Sequence, residues 1–238
     1  MEEITYTNIF ATKGIEYIII ITFFLTLIPF RMLMKKKKAF AFAENKSRGI
    51  ITANTLRIPQ GVFFSKYHTW AHLQTNGAAK VGLDDLLIHI TGQVKLSTFK
   101  HPGERIKKGE LLAKIEHKGN SMNVLSPVSG EVLDTNTSMN KEPELIRVDP
   151  YEKGWIYSIK PSAWKKETST CFLAEDATGW AVQELERFKD FLAVSSKKSM
   201  PEYVGVVMQD GGELIENPLA NMPQEVWKDF QLHFLTKE

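Results

Sequence analysis

The sequence predicts a mainly β body, preceded by one transmembrane helix and followed by a small α/β extension. Three observations predict it. Between Gly103 and Trp155, short apolar runs (Leu111, Leu112 and Ile115; Val124 and Leu125; Val132 and Leu133) alternate with Gly, Pro, Asn and Ser. That is the pattern of short strands joined by tight turns. Upstream, IEYIIIITFFLTLIPFRMLM from Ile15 to Met34 is broken only by Glu16 near one end and Arg31 near the other. Beyond residue 167 the apolar spacing turns helical, with Ala181, Leu185, Phe188 and Leu192 on one face.

In chain order, residues 1–45 hold the apolar segment and Lys35, Lys36, Lys37 and Lys38. At ~1.5 Å per residue the segment reaches ~30 Å, the thickness of a bilayer's hydrocarbon core. Arg31 is close enough to the end to snorkel, and Pro29 is tolerated in such helices. Ala41-Phe42-Ala43 has the small-x-small form of a signal-peptide cleavage site, but a signal peptide carries its positive charge before the apolar stretch. Here four lysines follow it. Positive charge kept inside predicts a single-pass protein of the inner (plasma) membrane, with the amino terminus outside and the soluble part cytoplasmic. The same lysines suit anionic lipid headgroups.

Residues 46–167 form the β body. Ile58 to Phe64 is the expected first strand, with Pro59 at an edge. Asn76-Gly77 is a hairpin signal between the strands Thr69–Gln74 and Ala78–Leu83. Asp84-Asp85 precedes Leu86 to Ile90, a short capped helix. Gly92-Gln93-Val94 and Gly130-Glu131-Val132 share a short G-x-V pattern. Between two strand-like runs, Glu116, His117, Lys118, Gly119, Asn120 and Ser121 form a polar interval, the exposed tip of a hairpin.

This body resembles the lipoyl and biotinyl attachment domains, and most closely the glycine cleavage H-protein family. The resemblance begins at Tyr67-His68-Thr69-Trp70, similar to the family's opening HEW segment, and runs through Asn76 to Leu83. It closes at Asp149-Pro150-Tyr151-Glu152-Lys153-Gly154-Trp155, similar to the family's PYxxGW, and covers roughly one hundred residues. It implies a barrel-sandwich hybrid, lipoyl-domain-like fold, in which the two G-x-V passages look like halves of a quasi-two-fold sandwich. It also implies a modified lysine three residues after a Glu and eight before a Pro. Counting from Glu116 and back from Pro127 both give Gly119. Lys118 is adjacent. Two readings of it stand side by side: lipoate attached to Lys118 through a rearranged turn, or a solvated lysine on a scaffold that has lost its arm.

Residues 168–238 are acidic, with 12 acidic and 6 basic residues against 16 and 24 upstream. A helix is expected from Thr178-Gly179 onward, then a strand over Tyr203 to Met208. A turn at Asp210-Gly211-Gly212 leads into Leu214-Ile215, and a final helix carries Val226, Trp227, Phe230 and Phe234 on one side. About seventy residues are few for independent stability, so these helices are expected to pack on the body or on a partner protein.

Several function classes find no support. The single cysteine, Cys171, excludes an intramolecular disulfide and fits a reducing compartment. His68, His72, His89, His101 and His117 lie on different expected elements, without ligand spacing, so no metal is expected. No nucleophile elbow, phosphate-binding glycine loop or catalytic carboxylate pair is present, which argues against an enzyme. The juxtamembrane lysines are explained by topology, and no recognition helix follows them, so neither nucleic acid nor a small-molecule substrate is expected. The expectation is a membrane-anchored, non-lipoylated structural or docking subunit of a cytoplasmic-side multiprotein complex, a redox assembly being one setting for it. Its partners are the membrane and other protein subunits, and it carries no cofactor. The alternative is a lipoyl carrier modified on Lys118, moving aminomethyl groups or electrons.

Overall fold

The structure is a computed structural model and describes residues 17–27, 49–199, 208–209 and 213–236. The chain divides into two compact units, residues 1–48 and 49–238. In the first, residues 17–27 form helix α1, with its apolar side chains exposed. The rest of the predicted span, and Lys35, Lys36, Lys37 and Lys38, lie outside the described residues. Among the described residues no helix is long and apolar enough to cross a membrane.

The second unit opens with β1 (Ile50–Ile51) and β2 (Phe63–Phe64), followed by β3 (Thr69–Leu73) and β4 (Ala79–Leu83). Helix α2 (Asp85–Thr91) leads to β5 (Lys95–Thr98) and β6 (Arg105–Ile106). The long hairpin of β7 (Leu111–His117) and β8 (Asn120–Leu125) precedes β9 (Gly130–Thr135). Two single turns, α3 (Ser138–Lys141) and α4 (Leu145–Val148), then lead to β10 (Tyr157–Pro161) and α5 (Trp164–Thr168). The carboxyl-terminal part holds α6 (Ala174–Ser199), β11 (Met208–Gln209), β12 (Glu213–Ile215) and α7 (Gln224–Phe230).

All strand pairing is antiparallel. One sheet runs β2-β3-β4-β10-β9-β6, a second β5-β7-β8, and a third β1-β12-β11. Alternation sets the inward faces: Trp70, Val81, Ile115, Met122, Val124, Val132 and Ile159 are all buried. The expected strand over residues 58–64 shrinks to Phe63–Phe64, because Pro59 lacks a ladder donor and residues 60–61 turn. The Asp84 cap stands as expected, its carboxylate accepting from Leu87 N at 2.8 Å. Asn76-Gly77 turns the chain as expected, within a loop closed by Gln74 N to Ala78 O at 2.7 Å.

Helix α6 begins at Ala174, well before the expected Thr178-Gly179. Glu175 and Asp176 occupy its first turn, where carboxylates favour the positive end of the helix dipole, and Gly179 is carried inside the helix. Leu185, Phe188 and Leu192 of α6 and Val226, Trp227 and Phe230 of α7 enter the same hydrophobic core as Leu87, Ile115 and Val124. Each fully buried Leu or Phe contributes about 1.5–3 kcal/mol, so this shared burial holds residues 168–238 to the body. Phe172 and Trp180 stack at 4.9 Å over a second cluster with Phe64 and Trp70. Of the expected strand over residues 203–208, only Met208 is described; the rest lies outside.

A buried ionic chain crosses from body to extension. His68 Nδ1 lies 2.7 Å from Asp84 Oδ2, and His68 Nε2 lies 3.6 Å from Glu184 Oε2 on α6. Glu184 Oε1 accepts from Arg187 Nη1 at 2.8 Å, and the Arg187 guanidinium sits 4.1 Å from the centre of the Phe234 ring. Burial is the largest influence on His68 and lowers its pKa, but the charges and hydrogen bonds of Asp84 and Glu184 together outweigh it and raise the pKa to about 9.

Candidate functional site

The hairpin of β7 and β8 is set by its ladder: Ile115 pairs Met122, Glu116 pairs Ser121 and His117 pairs Asn120. Lys118 and Gly119 alone are left to make the turn. Both have positive φ, 48° and 88°, as a type I′ turn demands. Glycine adopts this freely; lysine does so at a cost of about 1–2 kcal/mol. Of the four tip residues singled out in the sequence, Lys118 and Gly119 are at the apex and exposed, while Glu116 and Asn120 sit in the flanking strands.

A cavity of about 500 Å³ opens beside the turn, between the hairpin and the α3–α4 segment. Val94, Leu96, Met139, Pro143 and Ile146 give it an apolar wall, while Glu116, His117, Lys118 and Asn136 bring polar groups to it. Asn136 is fixed: its side-chain nitrogen donates to the carbonyls of Lys153 and Trp155, both at 2.7 Å. The site therefore sets an exposed lysine side chain beside an apolar recess. An acyl chain carried on its amine has a surface to lie against.

Sequence reasoning did not foresee that residues 217–231 brace the opposite side of the hairpin. Asn120 Nδ2 donates to Met222 O at 2.9 Å, and the backbone N–H of Asn123 donates to Gln231 Oε1 at 3.0 Å. The His117 ring stacks parallel to Trp227, with centres 6.4 Å apart, and Trp227 Nε1 donates to Leu219 O at 2.8 Å. Lys118 Nζ comes within 3.4 Å of Asn221 Oδ1. The only local signal for this was Asn217-Pro218, a turn dipeptide; nothing in it names the partner strand.

Elsewhere the histidines stay scattered. Among the described residues no group of three or more His, Cys, Asp or Glu side chains is placed to hold a metal ion. Cys171 is half-buried, and burial pushes its thiol upward in spite of nearby Lys108, so it is a poor nucleophile.

Comparison with known proteins matches residues 62–184 to the family described as Glycine cleavage H-protein. A probable glycine cleavage system H protein of Pyrococcus abyssi is 32% identical over 126 residues, covering 53% of this chain and 93% of that protein. The glycine cleavage system H protein of Thermus thermophilus is 35% identical over 104 residues, 44% of this chain and 80% of its own. A probable glycine cleavage system H protein of Picrophilus torridus is 37% identical over 106 residues, 44% and 84% respectively. The crystal structure of a glycine cleavage system H protein from Mycobacterium marinum aligns at 25% identity with a TM-score of 0.45, covering 53% of this chain and 98% of that one. The matched family region ends inside α6, so residues 185–238 lie beyond it.

Proposed function

Because this chain belongs to the glycine cleavage H-protein family, whose members are carriers rather than enzymes, we propose that it is a lipoyl carrier whose attachment residue is Lys118. The observation that carries this reading is the turn itself. A two-residue apex holds a lysine in a left-handed conformation that glycine or asparagine would take at lower cost, and its side chain is exposed. A residue kept in a disfavoured conformation at an exposed tip points to a use for its side chain. The apolar recess beside it suits the hydrocarbon part of a lipoyl group. Lipoate bound there would supply a dithiolane for carrying aminomethyl groups or electrons; the chain's own share is to present the amine and shelter the arm.

One specific observation favours a second reading. The family count places the modified residue at Gly119, and the flank of the hairpin is occupied by residues of the carboxyl-terminal extension. On this reading the chain is a non-lipoylated structural or docking subunit, its residues 46–167 forming the H-like scaffold and residues 168–238 an appended module. Both readings include a membrane tether. Its support is the apolar run from Ile15 to Met34 followed by Lys35, Lys36, Lys37 and Lys38, which orients the body toward the cytoplasm at the inner membrane.

Intact-mass measurement with peptide mapping decides between them, since a covalent modification is read directly. After expression with a lipoate ligase and excess lipoate, the chain is expected to gain the mass of one lipoyl group on the peptide containing Lys118, and Lys118→Arg is expected to abolish the gain. An unmodified native chain under those conditions would exclude the carrier reading and leave the docking one.

A further inference from the structure

Residues 215–221 close a second recess against the hairpin turn, one that shares Gln93, His117 and Lys118 with the first. Its volume is about 320 Å³, and its chemistry differs from that of the apolar cavity. Lys118 lines one wall; Arg147, Glu216, Asn217 and Asn221 line the other. Two cations thus face one carboxylate, with amides between them.

The carboxylate does not neutralise both cations. Glu216 Oε2 lies 3.4 Å from Arg147 Nη2, while its other oxygen lies 3.6 Å from His89 Nδ1. Glu216 therefore meets the guanidinium through one oxygen only, with the His89 ring beside the other, and anchors Arg147 without saturating it. Across the recess, Lys118 Nζ has the neutral Asn221 Oδ1 at 3.4 Å, and among the described residues no carboxylate lies within ion-pair distance of it. A concave wall of low dielectric concentrates the field of such an excess positive charge. The Arg147 fork matches a carboxylate or phosphate, and Lys118 adds a point charge. A liquid water takes about 30 Å³, so the recess has room for about ten waters, or for a small anion with part of its hydration.

We infer that this recess binds a small oxyanion, a phosphate or a carboxylate, between the free amine of Lys118 and the guanidinium of Arg147. The site belongs to the unmodified chain. Acylation of Lys118 converts its ammonium to a neutral amide and removes half of the positive charge, so anion binding and modification of Lys118 exclude one another. The inference holds whether or not Lys118 carries lipoate in the cell, because it concerns the free amine.

The test is calorimetric titration of the full, unmodified chain in detergent micelles at low ionic strength, using inorganic phosphate and succinate as probes. Saturable binding of at least one probe is expected, weakened tenfold or more by Arg147→Gln and by Lys118→Gln and unchanged by Lys165→Gln. The bound probe is also expected to slow labelling of Lys118 by an amine-specific reagent. Lys118 lies in an exposed turn, so its variant reports on binding even if Arg147→Gln fails to fold. Absence of saturable binding by either probe, or equal affinity in the Lys118 and Lys165 variants, would overturn the inference. Neither outcome bears on the mass measurement, so the two can fail separately.

Discussion

Replacing His68 with leucine is expected to destabilise the folded unit by about 3–5 kcal/mol, the range for removing one partner of a buried ion pair. The variant leaves Asp84 and Glu184 buried together with no cation between them, although Arg187 still reaches Glu184. At about 2–4 °C per kcal/mol for a unit of this size, the midpoint of thermal unfolding should fall by roughly 6–20 °C. The sign of the pH effect follows from the raised pKa. His68 binds its proton more tightly folded than unfolded, so its contribution is complete below its ordinary value of 6.5 and declines as pH rises through about 9. The whole linkage is worth about 3 kcal/mol. Denaturant titrations at pH 6 and pH 9.5 should show the wild type losing stability across that window and His68→Leu losing markedly less. Equal slopes for the two proteins would refute the role given to His68.

Gly130→Ala is expected to be strongly destabilising as well. A Cβ at this position would collide with Lys160 O and stand 2.6 Å from Ile159 Cγ2. The first of these is backbone and cannot swing aside. Gly130 pairs both Pro161 of β10 and Ile106 of β6, so displacement opens the sheet on two sides. Overpacking commonly costs about 1–3 kcal/mol, and a clash with a carbonyl between two strands belongs at or above the top of that range. Gly179→Ala is the matched control. Nothing lies within 4 Å of its Cβ position, and it sits inside α6, so alanine there should stabilise by about 0.5–1 kcal/mol. Circular dichroism and thermal melts of the two variants should move in opposite directions; a wild-type-like Gly130→Ala would show that the sheet yields more easily than its geometry implies.

These two positions also mark where sequence reading works and where it stops. Gly130 lies in Ser129-Gly130-Glu131-Val132, a run whose turn residue and alternation are local, as are the Asp84 cap and the polar interval from Glu116 to Ser121 that holds the hairpin tip. Local chemistry was enough to place them. His68 is different. Its partners stand sixteen and well over one hundred residues away, and no periodicity announces such a meeting. Gly119 could be counted from Glu116 and Pro127 as the family's modified position, whereas Asn221, Met222 and Gln231 beside the turn could not. The early start of α6 was missed for a further reason: Gly179 was read as a helix boundary, yet tertiary burial of Ala177, Trp180 and Leu185 overrides a single glycine's propensity.

Two residues of β1 fasten the amino-terminal edge of this unit. Ile50 pairs Ile215 and Ile51 pairs Leu214, with Glu216 N donating to Gly49 O at 2.6 Å. Any tension arriving along the chain from residues before Gly49 is borne first by this short seam, and its opposite side is the carboxyl-terminal strand β12. Ile51 and Leu214 are buried in the main core as well as paired, so the leading end is moored by packing and ladder together, and a truncation that removed Ile50 and Ile51 would leave β12 with a bare edge.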